Sequence, residues 1–320
     1  MRNLAVVAIG GNALIRDHRH ESIPDQFEVA ARIVAGVAGV IETGWNVVLT
    51  HGNGPQVGFV LRRSELAVAE LPPVSMDYAG ADIQGSMGWM FVRALHNELR
   101  RRGLRREPAA IVTQTVVDRG DPAFARPSKP IGEHMSEARA KRLAGMYGWT
   151  VHEDAGRGWR RVVPSPAPKA IIETGVIRAL AEAGYVVVAC GGGGIPVVED
   201  AQGDLQGVEA VIDKDFASSL LARSLGADAL VFLTGVAQVA LDFNKPAQRP
   251  VDRMTLAEAR RHLAEGQFEE GSMGPKIAAL IEFAAAGGKL GLVTDTPNLQ
   301  RAMRGEAGTR LVADPGAPGA

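Results

Sequence analysis

Residues 47–58 read VVLTHGNGPQVG. Apolar and β-branched residues run straight into a Gly-Asn-Gly-Pro turn, and a helical pattern follows. The same device occurs at residues 5–14 (AVVAIGGNAL) and 186–198 (VVVACGGGGIPVV). An apolar run without alternation is what a strand buried on both faces looks like. Glycine directly after it lets the backbone take φ > 0 and approach a ligand closely. A single case is only a tight turn. Three of them predict one site at the carboxyl edge of one parallel sheet, which is where open α/β sheets bind ligands.

Further apolar runs at 4–9, 46–50, 109–117, 185–189, 229–234 and 290–294 are the expected strands. Helical patterns lie between them. Phe27, Ala31, Val34, Ala38 and Ile41 are expected on one buried face, and so are Met87, Met90, Phe91, Ala94 and Leu95. Pro55 and Pro275 suit a first helical turn. Thr255 and Glu258 form a capping-box pattern, with Gly266 as the closing residue. Strand and helix alternate, which predicts an α/β fold: an open, mostly parallel sheet with helices on both faces. Residues 118–168 break the rhythm with Pro, Gly, Arg and Trp, and read as an inserted lid projecting from the sheet. Residues 314–320 read as a flexible tail.

Composition narrows the function. The 320 residues are 46% hydrophobic with a formal net charge of -1. No basic excess points to nucleic acid, and no apolar run is long enough to span a bilayer. The single cysteine, Cys190, excludes an internal disulfide framework and fits a reducing, cytoplasmic setting. The first residues lack the long apolar core of a secretory signal and read as a first strand. There is no G-x-x-x-x-G-K-[ST], G-x-G-x-x-G, G-x-S-x-G, H-E-x-x-H or C-x-x-C. The seven histidines show no ligand spacing, and no metal ligands are assigned. His51, the one beside a candidate turn, reads as a turn stabiliser.

Seven of the 35 basic residues are lysine, so each lysine is informative. Lys129, Lys169, Lys214, Lys245 and Lys276 lie in Gly- or Pro-flanked segments. Asp213, Lys214 and Asp215 open one expected helix. Gly271, Gly274 and Lys276 open another. A cation at a helix N-terminus opposes the helix dipole unless an anion sits nearby. Two lysines placed that way point to a polyphosphate between them.

These segments together (AIGGNAL, THGNGPQVG, DIQGSMGWM, PSKPIG, GWRRVVPSP, ACGGGGIPVV, VIDKDFAS, FLTGV and GSMGPK) closely resemble the carbamate kinases of the amino acid kinase superfamily. The resemblance runs in order over nearly the whole chain. It implies a three-layer αβα sandwich acting as a homodimer, with an acceptor lobe over about 1–185, a lid over 118–168 and a nucleotide lobe over about 186–313. The implied reaction is reversible, Mg²⁺-dependent phosphoryl transfer from ATP to carbamate, giving ADP and carbamoyl phosphate. Such enzymes often run it backwards to make ATP during arginine or similar catabolism.

Carried onto this chain, the resemblance assigns catalysis to Lys129, Lys214, Asp215 and Lys276. Backbone N–H groups of Gly10, Gly11 and Gly52 and the side chains of Asn12 and Asn53 would cradle the acceptor. Gly191, Gly192, Lys214, Thr234, Met273, Gly274 and Lys276 would hold the nucleotide. The run AQVALDFNKP departs from the pattern: Ala240 stands where Tyr is expected. Other small-acid kinases of the superfamily, and anion-binding relatives without turnover, are the competing readings.

Overall fold

The computed structural model describes residues 3–10, 14–15, 19–154, 156, 158–269, 271–312 and 314, with Glu133 described by its backbone. In chain order the first elements are β1 (Leu4–Ile9), α1 (Ile23–Glu42), β2 (Asn46–His51), α2 (Gly54–Ala67), α3 (Met76–Arg101), β3 (Pro108–Ala110) and β4 (Gln114–Val117). There follow α4 (Pro122–Ala125), β5 (Lys129–Met135), α5 (Glu137–Tyr147), β6 (Thr150–Glu153), β7 (Trp159–Val163), β8 (Pro168–Ile171), α6 (Thr174–Glu182), β9 (Val186–Val188), β10 (Ile195–Glu199) and β11 (Leu205–Gly207). The rest are α7 (Lys214–Leu225), β12 (Ala229–Leu233), β13 (Val239–Leu241), β14 (Arg249–Val251), β15 (Arg253–Thr255), α8 (Leu256–Ala264), α9 (Met273–Ala285), β16 (Leu290–Thr294), α10 (Leu299–Met303) and β17 (Thr309–Val312).

The main sheet has eight strands in the order β15-β17-β16-β12-β1-β2-β9-β3. Every neighbouring pair in it is parallel except β16–β17. β1 shows why it must be sandwiched. Ala5, Val7 and Ile9 are buried with apolar residues of α1 and α3, while Leu4, Val6 and Ala8 are buried with those of α6, α7 and α9. A strand apolar on both faces needs helices on both, and the three-layer α/β sandwich follows.

Three corrections concern helix and strand detail. Ala31 is exposed, because α1 turns Val29, Ile33 and Val37 inward instead, and these bury more apolar surface than alanine. Phe27 is only partly buried and packs edge-on against Trp89, with their ring centroids 5.2 Å apart. The expected strand at 109–117 is two strands in two sheets. Gln84 of α3 takes the Thr113 amide out of the ladder: its Oε1 accepts from Thr113 N at 2.7 Å, and its Nε2 donates at 3.0 Å to Thr113 O, which also accepts from the Ile195 amide of β10. β3 therefore ends in the main sheet, and β4 joins a second sheet of order β11-β10-β4-β8. Strands β9 and β10 thus pair with strands of the N-terminal half.

Residues 118–167 leave β4 and return to β8. They contain α4, α5 and a three-stranded antiparallel sheet, β5-β7-β6. The Thr255–Glu258 capping box forms, and Gly266 follows α8 at φ +69°. Ala240 lies in β13, opposite Pro250 of β14. No helix among the described residues is long and apolar enough to cross a membrane.

Candidate active site

Parallel pairing of β12, β1, β2 and β9 brings their carboxyl ends to one edge, and all three Gly-rich turns start there. The Gly10 amide donates to Leu233 O at 3.1 Å and the Gly52 amide to Ile9 O at 2.9 Å. Those N–H groups extend the sheet ladder, so the expectation that they cradle a ligand is corrected. Gly11 and Asn12 lie outside the described residues.

The turn after β9 is packed too tightly for side chains. A Cβ at Gly192 would sit 2.2 Å from the Asn53 side-chain nitrogen, and one at Gly191 would sit 2.7 Å from the His51 ring. Gly191 and Gly192 therefore back directly onto Asn53 and the turn after β2. Gln84 Nε2 donates to Gly191 O at 3.2 Å, Thr113 Oγ1 accepts from the Cys190 amide at 3.0 Å, and Thr115 Oγ1 donates to Gly193 O at 2.9 Å. Cys190 itself is forced to φ +50°. Gln84 and Thr113 carried no sequence signal of this role. A glutamine on the buried face of a helix is the one hint, because a buried amide must be hydrogen-bonded.

His51 is buried, its Nδ1 lies 3.2 Å from Gly52 O, and its ring packs 5.4 Å from that of Phe91. Burial drives its pKa from 6.5 to about 4, against the raising effect of the Gly52 carbonyl, so it is neutral at physiological pH.

The charged cluster sits at the start of α7. Asp213 caps this helix, its Oδ1 accepting from the Asp215 amide at 2.9 Å. Asp215 is 3% exposed and its two oxygens are divided between two lysines. Lys214 Nζ lies 2.5 Å from Oδ1, and Lys276 Nζ lies 3.1 Å from Oδ2. Lys276 reaches there from the first turn of α9, where it also donates to Ser272 O at 3.1 Å. α7 is fixed to the sheet by a 2.6 Å hydrogen bond between Ser218 Oγ and Thr50 Oγ1 of β2.

From the other side, Lys129 of β5 reaches Asp213 Oδ2 at 2.6 Å. Asp213 was legible in the sequence only as a cap; its pairing with a residue 84 positions away was not. Burial works to raise the Asp213 pKa, but Lys129, the Asp215 amide and Lys214 together hold it below the usual carboxylate range. The Lys276 pKa is lowered, by burial first and by the Lys214 charge second. Three ammonium groups against two carboxylates leave one positive charge in a largely buried cluster, and a ligand anion would neutralise it.

Of the other expected residues, Thr234 follows β12 at the same edge, its amide donating to Thr294 O at 2.9 Å. Met273 and Gly274 form the first turn of α9 beside Lys276, and the Gly274 amide donates to Glu269 O at 2.9 Å. The structure thus brings together Lys129, Lys214, Asp215 and Lys276. Gly191 and Gly192 stand instead against the turn after β2. Lys169 and Lys245 are exposed, paired with Asp118 and Asp242 respectively.

The family model for the amino acid kinase family matches residues 3–295. The chain belongs to that family, and within it to the carbamate kinases. It is 46% identical over 312 residues to the carbamate kinase of Thermococcus kodakarensis, covering 97% of this chain and 99% of that one. It is also 46% identical over 315 residues to the carbamate kinase-like protein YahI of Escherichia coli, covering 98% of this chain and 99% of that relative. Among solved structures, carbamate kinase from Giardia lamblia bound to AMP-PNP superposes with a TM-score of 0.91 at 38% identity, covering 98% of this chain and 99% of that one.

Proposed function

We propose that this chain acts as a carbamate kinase, transferring the γ-phosphoryl group reversibly between ATP and carbamate. The observation that carries the reading is the Lys214–Asp215–Lys276 cluster facing Lys129 across Asp213, in a chain of this family. A carbamate oxygen attacks the γ-phosphorus, the bond to the β–γ bridging oxygen breaks, and ADP leaves. The attacking oxygen is already anionic, so the reaction needs positioning and charge stabilisation rather than a base. Lys214 and Lys276 hold β- and γ-phosphate oxygens, and Asp215 fixes both ammonium groups in place. Lys129 adds charge to the moving phosphoryl group from the lid side. Asn53, which follows Gly52 and packs against Gly192, orients the acceptor. Thr234, Met273 and Gly274 line the nucleotide side.

The site has two carboxylates at the cluster and, among the described residues, no group of three His, Cys, Asp or Glu that would hold a metal ion. That donor set fits Mg²⁺ carried in by the nucleotide phosphates, which Asp213 would help to hold, rather than a dedicated protein cage. When bound, Mg²⁺ would neutralise phosphate charge.

Residues 1–185 would form the acceptor lobe, with 118–168 as its lid, and 186–313 the nucleotide lobe. A second copy of this chain, making the homodimer, would cover the exposed Ile23, Tyr78 and Trp89 of α1 and α3. The lone buried Cys190 fits a cytoplasmic enzyme, and ATP formation in arginine or similar catabolism fits the reverse reaction. The test is incubation with Mg-ADP and carbamoyl phosphate. ATP forming well above the uncatalysed rate supports the reading. ADP binding without ATP formation overturns it in favour of another acceptor or a non-catalytic binder.

A further inference from the structure

Two of the segments that carry the family resemblance end in a glycine: Gly58 closes THGNGPQVG and Gly132 closes PSKPIG. In the fold these glycines touch. A Cβ built on Gly58 would lie 2.9 Å from Gly132 Cα and 3.3 Å from its amide nitrogen. Carbon atoms rest about 3.5–4.0 Å apart, so a single methyl group there demands a shift of roughly 0.6–1 Å.

The contact borders a small cavity lined also by Leu61, Ile131 and Trp149, but both backbones are anchored beside it. Val57 and Leu61 flank Gly58 on α2 and are buried in the same core as Ile131 and Val163 of the small sheet. Gln56, also in the first turn of α2, is tied to Gln26 by a 3.0 Å hydrogen bond. On the lid side, Gly132 is held at φ +68°, at the point where the β5–β7 register shifts, and its carbonyl accepts from Arg160 Nη2 at 2.9 Å. Lys129 lies three residues before Gly132 on the same strand.

We propose that the Gly58–Gly132 contact is the seat that sets the reach of Lys129 into the site. Gly58 is then a positioning residue, acting through Lys129 and not on the substrate. α2 begins immediately after Asn53, so one helical turn links the acceptor side of the site to the strand that carries Lys129. A methyl group at Gly58 pushes β5 outward and takes the Lys129 ammonium with it, while Lys214, Asp215 and Lys276 on α7 and α9 stay put. The inference rests on the kinase reading of the same site.

The test is a set of variants assayed for ATP formation from Mg-ADP and carbamoyl phosphate, with ADP affinity measured by calorimetry. A displacement near 1 Å costs up to about 100-fold in rate. Gly58→Ala is therefore expected to lower kcat by roughly 10- to 100-fold and to leave ADP affinity near wild type. Gly80→Ala in α3, where an added Cβ meets open space, is expected to leave both unchanged. A purely local role predicts an unchanged kcat and slightly higher stability for Gly58→Ala, since alanine favours a helix over glycine.

In a Lys129→Ala background, adding Gly58→Ala should cost nothing further. An equal loss in both backgrounds, or a normal kcat in Gly58→Ala, overturns the proposal. If Gly58→Ala does not fold, Gly132→Ala takes its place, disturbing the same strand through its φ of +68° since its own Cβ meets open space, and a loss independent of Lys129 overturns the proposal equally. Wild-type protein that forms no ATP refutes the kinase reading, not the seat. The seat is then read by backbone hydrogen exchange, which should speed up across β5 in Gly58→Ala and not in Gly80→Ala; unchanged exchange in β5 overturns it.

Discussion

Replacing Lys276 with methionine removes one of the two ammonium groups on Asp215 and keeps most of the side-chain volume. Lys276 is 8% exposed, so its charge acts through a partly dry site. At about 5 Å and an effective dielectric near 20, a phosphate charge gains about 3 kcal/mol from it. That is over 100-fold in ADP affinity, at about 1.4 kcal/mol per tenfold. The cost to folding is smaller. Asp215 keeps Lys214 at 2.5 Å, so no carboxylate is left bare. Burial and Lys214 also work against the Lys276 charge, and its removal relieves both. The net loss is of the order of one charged hydrogen bond, about 1–2 kcal/mol. Thermal unfolding with and without Mg-ADP, beside coupled ATP formation, separates the two effects. The expected variant unfolds within several degrees of wild type, loses the ADP-induced stabilisation and loses turnover. A variant that keeps both nucleotide effects refutes the assignment, and so does one that unfolds far earlier yet turns over normally per folded molecule.

Lys129→Ala should lower kcat by about 100-fold, the scale of one lost charge-stabilising group, and leave ADP affinity nearly unchanged; an affinity that collapses with it would move Lys129 from the lid side to the nucleotide side. Gln84→Leu leaves the buried Thr113 amide unmet, while Thr113 O keeps the Ile195 amide and Gly191 O keeps the Gly194 amide, and should cost about 1–3 kcal/mol by chemical denaturation; no measurable loss would refute its bracing role. His51 titrates at about 4 when folded and 6.5 when exposed, so between these values the unfolded chain binds the extra proton. Stability should therefore rise with pH through that window by roughly 3 kcal/mol, and His51→Asn should flatten the rise; equal slopes in both proteins would refute the burial argument.

Much of this protein is set by features a few residues long. β1 and β16 have the bounds that their apolar runs predict, because continuous apolar runs this short suit a strand buried on both faces and not a helix. The helix starts at Pro55 and Thr255 are legible for the same local reason: capping and first-turn chemistry involve only neighbours. Lys214 and Lys276 stood out because each opposes the dipole of its own helix.

Tertiary structure decided what depends on chain segments far apart. Gln84, contributed by α3, divides residues 109–117 between two sheets, and no pattern within those residues records it. The Gly10 and Gly52 amides were read as free donors, but the neighbouring strands claim them. Cys190 takes a left-handed conformation that its side chain does not favour, imposed by the packed turn around it. The pairing of Lys129 with Asp213 and the contact of Gly58 with Gly132 exist only because the small sheet folds back onto α2 and α7. Local pattern settles which elements form, since it reflects the periodicity and caps of each one. Packing between elements settles which polar groups are spent and which are left for a ligand.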